Sequence, residues 1–327
     1  MKRFALVLAC LLLAPLVAAE DADEAIDRRI AVTIDDLPWQ HIERVPEAEL
    51  AGRYGQLLEQ MRAAGAPAIG FLNESGLEID GERDPDRMRM LLDWLEAGFQ
   101  LGNHTWAHSD LHKAGADGFR ADILRGEQAL RPLLAGLGNV PEWFRHPWLH
   151  TGSSEEEARA VAEFLAARGY RIAPVTVGMD EPAWAAAYAN VLDRHPRGPE
   201  RMELLERLHG GYVAYLLHKL DFRERQSLTL LDRAVPQVLR LHANELNAVA
   251  YGDLIDGMRR RGYRFVDLET AMRDPAYAQA NAYHGTDGPG WLQRWATDKR
   301  LPHAYRAGEP KVPAWVRELA DPDSPDS

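Results

Sequence analysis

Cysteine is almost missing from this chain: there is one, Cys10, in 327 residues. Cys10 falls inside an N-terminal leader, so a chain cleaved after Ala19 has neither a disulfide nor a thiol nucleophile, and an oxidising compartment is no threat to it. A surplus of positive charge is also missing. Lys and Arg number 38 against 50 Asp and Glu, a formal net charge of −12. Such a surface repels phosphate backbones, which excludes nucleic acid as the expected partner and leaves neutral sugars and small molecules open. After residue 17 no apolar run is long enough to cross a membrane. What is there is ordinary globular material, 46% hydrophobic and 27% charged, enough for one substantial core or two small ones.

The leader has the layout of a secretory signal. Lys2 and Arg3 precede an apolar run over 4–17, Val17-Ala18-Ala19 offers small residues for cleavage, and acidic Glu20 follows. The expectation is export, to the periplasm or medium. The rival is a membrane anchor; a lipid-attachment reading of Val7-Leu8-Ala9-Cys10 is weakened by the apolar run continuing past the cysteine.

Beyond the leader, apolar runs alternate with amphipathic stretches. Strands are expected over 29–34, 66–72, 99–102, 143–145, 171–177, 237–243 and 263–267. Helices are expected over 47–64, 85–97, 117–134, 154–168 and 252–261, with a long helix-rich stretch, broken at Pro196 and Pro199, reaching about residue 220. This is a βα alternation with about seven strands, which implies an α/β protein with a parallel sheet covered by helices, open or closed into a barrel. From 274 the pattern decays into Gly, Pro and Trp. The expected division is 1–19 leader, 20–273 catalytic barrel, and 274–327 an extension over the core with a frayed acidic tail.

Four clusters carry chemistry, each just after an expected strand, where βα folds build their active face. Asp35 and Asp36 end an apolar strand, and carboxylates partly buried there need a compensating cation. His104 and His108 follow, a spacing of four that puts two imidazoles on one face if the segment is helical. Two imidazoles and one carboxylate form a hydrolytic zinc set with a position left for water. Arg145 can hold a carboxylate in one orientation, and Trp148 can wall a sugar site. His242 ends a fourth strand, in the place of a catalytic acid. Asp35 and Asp36 do not make a glycosidase pair, because neighbours on a strand point to opposite faces.

In this order and approximate spacing, Asp35-Asp36, His104-x-x-x-His108, Arg145-x-Pro147-Trp148 and Leu241-His242 resemble the polysaccharide deacetylases, carbohydrate esterase family 4, over about residues 29–270. The resemblance implies a deformed (β/α) barrel, often of seven strands. It also implies that Asp36, His104 and His108 bind a divalent metal, Zn2+ first, although the same ligands accept Co2+, Mn2+ or Ni2+. Asp35 becomes the general base, Arg145 the group that orients it, and His242 the general acid. Leu241 becomes part of the pocket for the acetyl methyl, with Trp148, Asp180 and Trp184 lining the substrate groove. Asp35 and His242 are then expected on opposite sides of the metal. One motif departs: where the family often has Asp-x-x-Asp-Trp, this chain has Asp180-Glu181-Pro182-Ala183-Trp184. Ala183 removes the aspartate that pairs with the catalytic histidine in relatives, leaving Asp180 and Glu181 as candidates to replace it.

The activity so implied is removal of N-acetyl or other acyl groups from an amino-sugar polymer or oligosaccharide. Two rivals stand beside it: hydrolysis of non-sugar C–N amide bonds, and carbohydrate binding by a decayed site. Of the nine tryptophans, Trp39 and Trp106 also lie beside motifs and are candidates for the cleft. Trp94 is expected in the core, and Trp291 and Trp295 are expected to pack the extension down. His41 is either a cleft residue or an exposed loop residue.

Overall fold

β1 (Arg29–Leu37) is apolar on both faces and buried along most of its length, as a central parallel strand must be. The computed structural model describes Ile26 and residues 28–285, 287–301 and 303–322. The leader 1–19 and Cys10, and the end of the acidic tail, lie outside the described residues. β1 pairs in parallel with β2 (Ala68–Leu72), followed outward by β3 (Gln100–Asn103), β4 (Trp143–Phe144) and β5 (Arg171–Ile172). On its other side β1 pairs with β6 (Gln237–His242), and its first residues pair with β7 (Arg264–Phe265). The ring then closes. Past β5 the chain stays extended, and Thr176 N and Arg240 N donate to Val238 O and Val177 O at 2.9 Å, joining this stretch to β6. The result is a deformed barrel of parallel strands: the βα alternation left an open sheet or a barrel available, and the barrel is what the resemblance implied.

The helices are α1 (Glu47–Ala64), α2 (Pro85–Glu96), α3 (Leu111–Arg125), α4 (Leu130–Ala135), α5 (Glu155–Ala167), α6 (Glu181–Arg194), α7 (Pro199–Leu231), α8 (Glu245–Arg260), α9 (Leu268–Met272), α10 (Trp291–Asp298) and α11 (Ala314–Ala320). Their ends follow local chemistry. Asp84 accepts from Arg87 N at 2.9 Å with Pro85 behind it, and Gly65 closes α1 in the left-handed conformation. Expected boundaries move in three places. The 117–134 helix is two, α3 and α4. α7 runs 33 residues, past Leu220 to Leu231. α8 begins at Glu245 rather than Gly252, because Asn244 caps it by accepting from Asn247 N.

Alternation along the strands separates two cores. Ala31, Ile69, Phe71, Trp143, Ala173 and Val238 fill the ring's interior with Leu268 and Ala271 of α9. Gly102 is required there: a Cβ on it would sit 2.6 Å from the Phe71 ring. Ile30, Val32, Ile34, Leu239 and Leu241 belong instead to the cluster shared with the helices, which includes Trp94. Inward positions are thus odd on β1 and even on β6, and this parity decides which side chains reach the cleft.

Candidate active site

Parity places Asp35 inside the ring and should turn Asp36 outward. The pairing of β1 with β2 slips between Ile34 and Leu37, and Asp36 takes φ 62°, which swings its carboxylate back over the strand ends. The alternation argument against Asp35 and Asp36 acting in one cleft therefore fails: the bulge brings both to it. Asp36 Oδ1 lies 3.5 Å from Nε2 of His104 and 3.5 Å from Nε2 of His108, while Oδ2 accepts from Gln40 Nε2 at 3.1 Å.

His104 and His108 do not share a helix face. The segment is a loop, turned by Thr105 at φ 65° and His108 at φ 55°. Asp36, His41, Thr105, His108 and Trp148 all have φ between 50° and 65°. Left-handed backbone in non-glycine residues costs free energy, and here it gathers around one cleft. Two asparagines hold the loop. Asn103 Oδ1 accepts from Thr105 N at 2.7 Å, its Nδ2 donates to Gly126 O at 3.1 Å, and Asn73 Nδ2 donates to His104 O at 2.6 Å.

His104 Nδ1 lies 2.8 Å from the Arg145 carbonyl, which can only accept, so Nδ1 carries the proton and Nε2 keeps its lone pair toward Asp36. Burial and the neighbouring His108 hold the His104 pKa well below the ordinary histidine value; burial also lowers that of His108. Burial alone would raise the Asp36 pKa, but His108, His242 and His104 together hold it below its usual value. Two neutral imidazoles and a carboxylate thus converge, their ligand atoms all within 4.8 Å of one another. Asp36 Oδ1 is buried with no hydrogen-bond partner. A carboxylate oxygen without a hydrogen-bond partner, the His104 Nε2 lone pair and a neutral His108 ring so close together fit a cation.

Asp35 faces Arg145, with Nη1 3.6 Å from Oδ2 and both side chains almost fully buried. Arg145 also donates to Thr33 Oγ1 at 3.0 Å and lies over the Phe71 ring at 4.7 Å. Burial brings its pKa down to about 10, so it stays charged at neutral pH. Asp35 and His242 are register partners on β1 and β6. They stand side by side rather than on opposing walls, Asp35 ion-paired with Arg145 and His242 bonded to α6.

The α6 partner is Glu181, whose carboxylate contacts His242 Nδ1 and accepts from Asn244 Nδ2 at 2.7 Å and Asn247 Nδ2 at 2.9 Å. Burial alone would lower the His242 pKa, but Glu181, and then Asp36, outweigh it and hold the pKa above the ordinary value. The gap at Ala183 is therefore filled from two positions earlier in the chain. Asp180 is not the substitute and does not line the cleft: its carboxylate lies 2.7 Å from Lys219 Nζ and accepts from Tyr215 at 2.9 Å. Trp184 is no groove residue either, being 1% exposed and packed against Tyr212, Tyr215 and Trp315. Leu241 points away from His242 into the helix-side core, as period-2 alternation demands, and does not reach the cleft.

These residues open into a cleft of about 540 Å³, the size of a small-ligand site. Its walls include Trp39, His41, Asn73, Met179, Pro182 and Arg240. Trp148 is 57% exposed at the rim, its ring 5.1 Å from that of His108. Trp106 is not in the wall; Arg125 covers its ring. The C-terminal segment contributes Gly288, and buried Arg294 ties α10 to the Trp148 loop through Leu149 O and Thr151 Oγ1. Trp291 and Trp295 pack α10 against Leu149 and Val175. Among the described residues one other group, Asp110, His112 and His150, gathers metal-type ligand atoms within 4.8 Å. Its two rings stack at 4.1 Å and 7°, so their in-plane lone pairs run parallel and do not converge, and His150 Nδ1 is 2.7 Å from Asp110.

Residues 22–170 match the family model described as polysaccharide deacetylase. A curated relative, a chitin deacetylase from Pestalotiopsis sp, is 28% identical over 128 residues, 39% of this chain. The match spans 37% of that relative's length. Among solved structures, a family 4 carbohydrate esterase from Streptomyces lividans in complex with acetate has a TM-score of 0.46 at 17% identity, covering 76% of this chain and 97% of that one. A family 4 pseudoenzyme from Bacillus anthracis has a TM-score of 0.46 at 14% identity, covering 75% and 66%. The stretch 22–170, which is similar to the polysaccharide deacetylase family model, holds Asp35, Asp36, His104, His108 and Arg145.

Proposed function

We propose that this protein is an exported, metal-dependent hydrolase that removes acyl groups from amide nitrogen on a carbohydrate. The observation that carries the proposal is the convergence of metal-type ligand atoms on Asp36, His104 and His108 beside two ion pairs, Asp35 with Arg145 and His242 with Glu181. Asp36, His104 and His108 would hold a divalent cation, Zn2+ first. Bound there, it would supply acidity to water and polarise the carbonyl.

The chain's own groups do the rest. Asp35, held by Arg145, takes a proton from the attacking water. His242, kept protonated by Glu181 through Nδ1, has Nε2 free for the cleft and gives its proton to the departing amine. General acid and base steps of this kind contribute about 10²–10⁴-fold each. Trp148, exposed at the rim, offers a face on which a sugar ring can stack.

The test is acetate release from N-acetylated chitooligosaccharides, peptidoglycan fragments and acetylated xylan, with metal-stripped protein as control. The proposal predicts release that disappears on stripping and returns with Zn2+. Bound metal with no acyl release from any of these substrates would turn the reading to a carbohydrate binder. Release only from small non-sugar amides would turn it to that class. Export is checked by the N-terminus of the mature protein, predicted at Glu20.

A further inference from the structure

The side chain that shares the inner face of β6 with His242 is Arg240, two residues before it. Arg240 is 9% exposed and its side chain lines the cleft. Its Nε is buried without a hydrogen-bond partner, and the guanidinium makes no ion pair among the described residues. The carboxylates around it are engaged elsewhere: Asp35 by Arg145, Asp36 by Gln40 beside two imidazoles, and Glu181 by His242, Asn244 and Asn247. A buried guanidinium without a counter-ion is costly, and a cation bound by Asp36, His104 and His108 adds more positive charge to the same space.

We propose that Arg240 is a specificity residue that binds a carboxylate carried by the substrate close to the scissile amide. The inference rests on the hydrolase reading for its choice of reaction. One uncompensated positive charge calls for a monoanion, and a carboxylate takes the two parallel N–H donors of a guanidinium in bidentate fashion. Two residues along a strand span about 7 Å, so the carboxylate lies within about that distance of the amine that His242 protonates. It belongs either to the acyl group being removed or to the sugar, as an acidic ether or uronic acid. An apolar acetyl pocket beside the acid histidine, expected from Leu241, is replaced on this face by a cation.

The test compares kcat/KM of the wild type, Arg240→Leu and Arg240→Lys on three substrates. These are neutral N-acetylchitotriose, the same trisaccharide N-succinylated, and a peptide-free glycan fragment containing N-acetylmuramic acid. The wild type is predicted to favour one carboxylated substrate by about 10²-fold. In Arg240→Leu that ratio falls to about one, and Arg240→Lys keeps part of it. Preference for the succinylated substrate assigns the carboxylate to the acyl group; preference for the muramyl fragment assigns it to the sugar. A wild type that ranks the neutral trisaccharide first, or an Arg240→Leu variant that keeps the ratio, overturns the proposal. Binding of the same three saccharides, read by quenching of tryptophan fluorescence, separates the two claims. If nothing is hydrolysed, the hydrolase reading falls, and a carboxylate preference in binding that vanishes in Arg240→Leu still decides the role of Arg240.

Discussion

Replacing Glu181 by Gln removes one charge from a fully buried carboxylate and little volume, so its effect should read out at His242. Burial opposes protonation of this imidazole, and Glu181 is the largest of the influences that reverse it. An opposite charge in contact favours the protonated imidazole, and Glu181→Gln should lower the pKa of His242 by a measurable interval. If His242 donates the proton to the leaving amine, kcat/KM falls as pH rises through its pKa. The basic limb of the profile then moves down by the same interval, and above it the variant loses about tenfold in rate for each pH unit that the limb has moved. The same charge contributes to stability. A pKa raised in the folded state adds stability that is fully present below the unfolded histidine value of about 6.5 and lost as pH rises through the folded value. Its size is about 1.4 kcal/mol for each pH unit that separates the folded from the unfolded value. Urea denaturation of the two proteins should therefore differ at pH 6 and converge at high pH. The assay is the pH dependence of kcat/KM on an N-acetylated oligosaccharide and on an activated acetate ester, whose leaving group needs no acid. A basic limb for the amide that stays in place in Glu181→Gln, or that moves equally for the ester, refutes the role given to the pair.

Asp35→Asn keeps the shape and removes the proposed base. Metal content should match the wild type while kcat falls by about 10²-fold or more, measured by elemental analysis and steady-state kinetics. Asn103→Ala strips four hydrogen bonds from the loop that carries His104 and His108. It should cost about 1–3 kcal/mol in denaturant unfolding and weaken metal affinity, since the left-handed turn at Thr105 loses its anchor. Arg294→Ala frees the Trp148 loop from α10 and should raise KM for oligosaccharide more than it lowers kcat.

The sheet was legible because four of its strands, β1, β3, β4 and β6, end at or beside a chemistry-bearing residue, a pattern that gathers those residues on one face in a parallel βα fold. Asp35, Asp36, His104, His108, Arg145 and His242 gather in one place for that reason. What the sequence concealed is local backbone geometry. A spacing of four suggested a helix, whereas two left-handed residues, Thr105 and His108, close the gap in a loop. A bulge after Ile34 defeats the alternation that would send Asp36 outward, and no residue type announces it. On β6 alternation holds, and it shows that Arg240, not Leu241, shares the inner face with His242. Glu181 over Asp180 was undecidable from the motif, because the choice depends on how α6 is rotated against β6. Trp184 looked like a groove residue by position, yet its bulk fills the space between α6, α7 and α11.

The central claim is that Asp36, His104 and His108 bind one cation, and anomalous diffraction at the zinc edge from crystals grown with one equivalent of Zn2+ tests it most directly. The account predicts a single strong peak about 2.0–2.2 Å from one Asp36 oxygen and from both Nε2 atoms, absent in Asp36→Ala. A peak at Asp110, His112 and His150 instead, or none at any of these side chains, would contradict it.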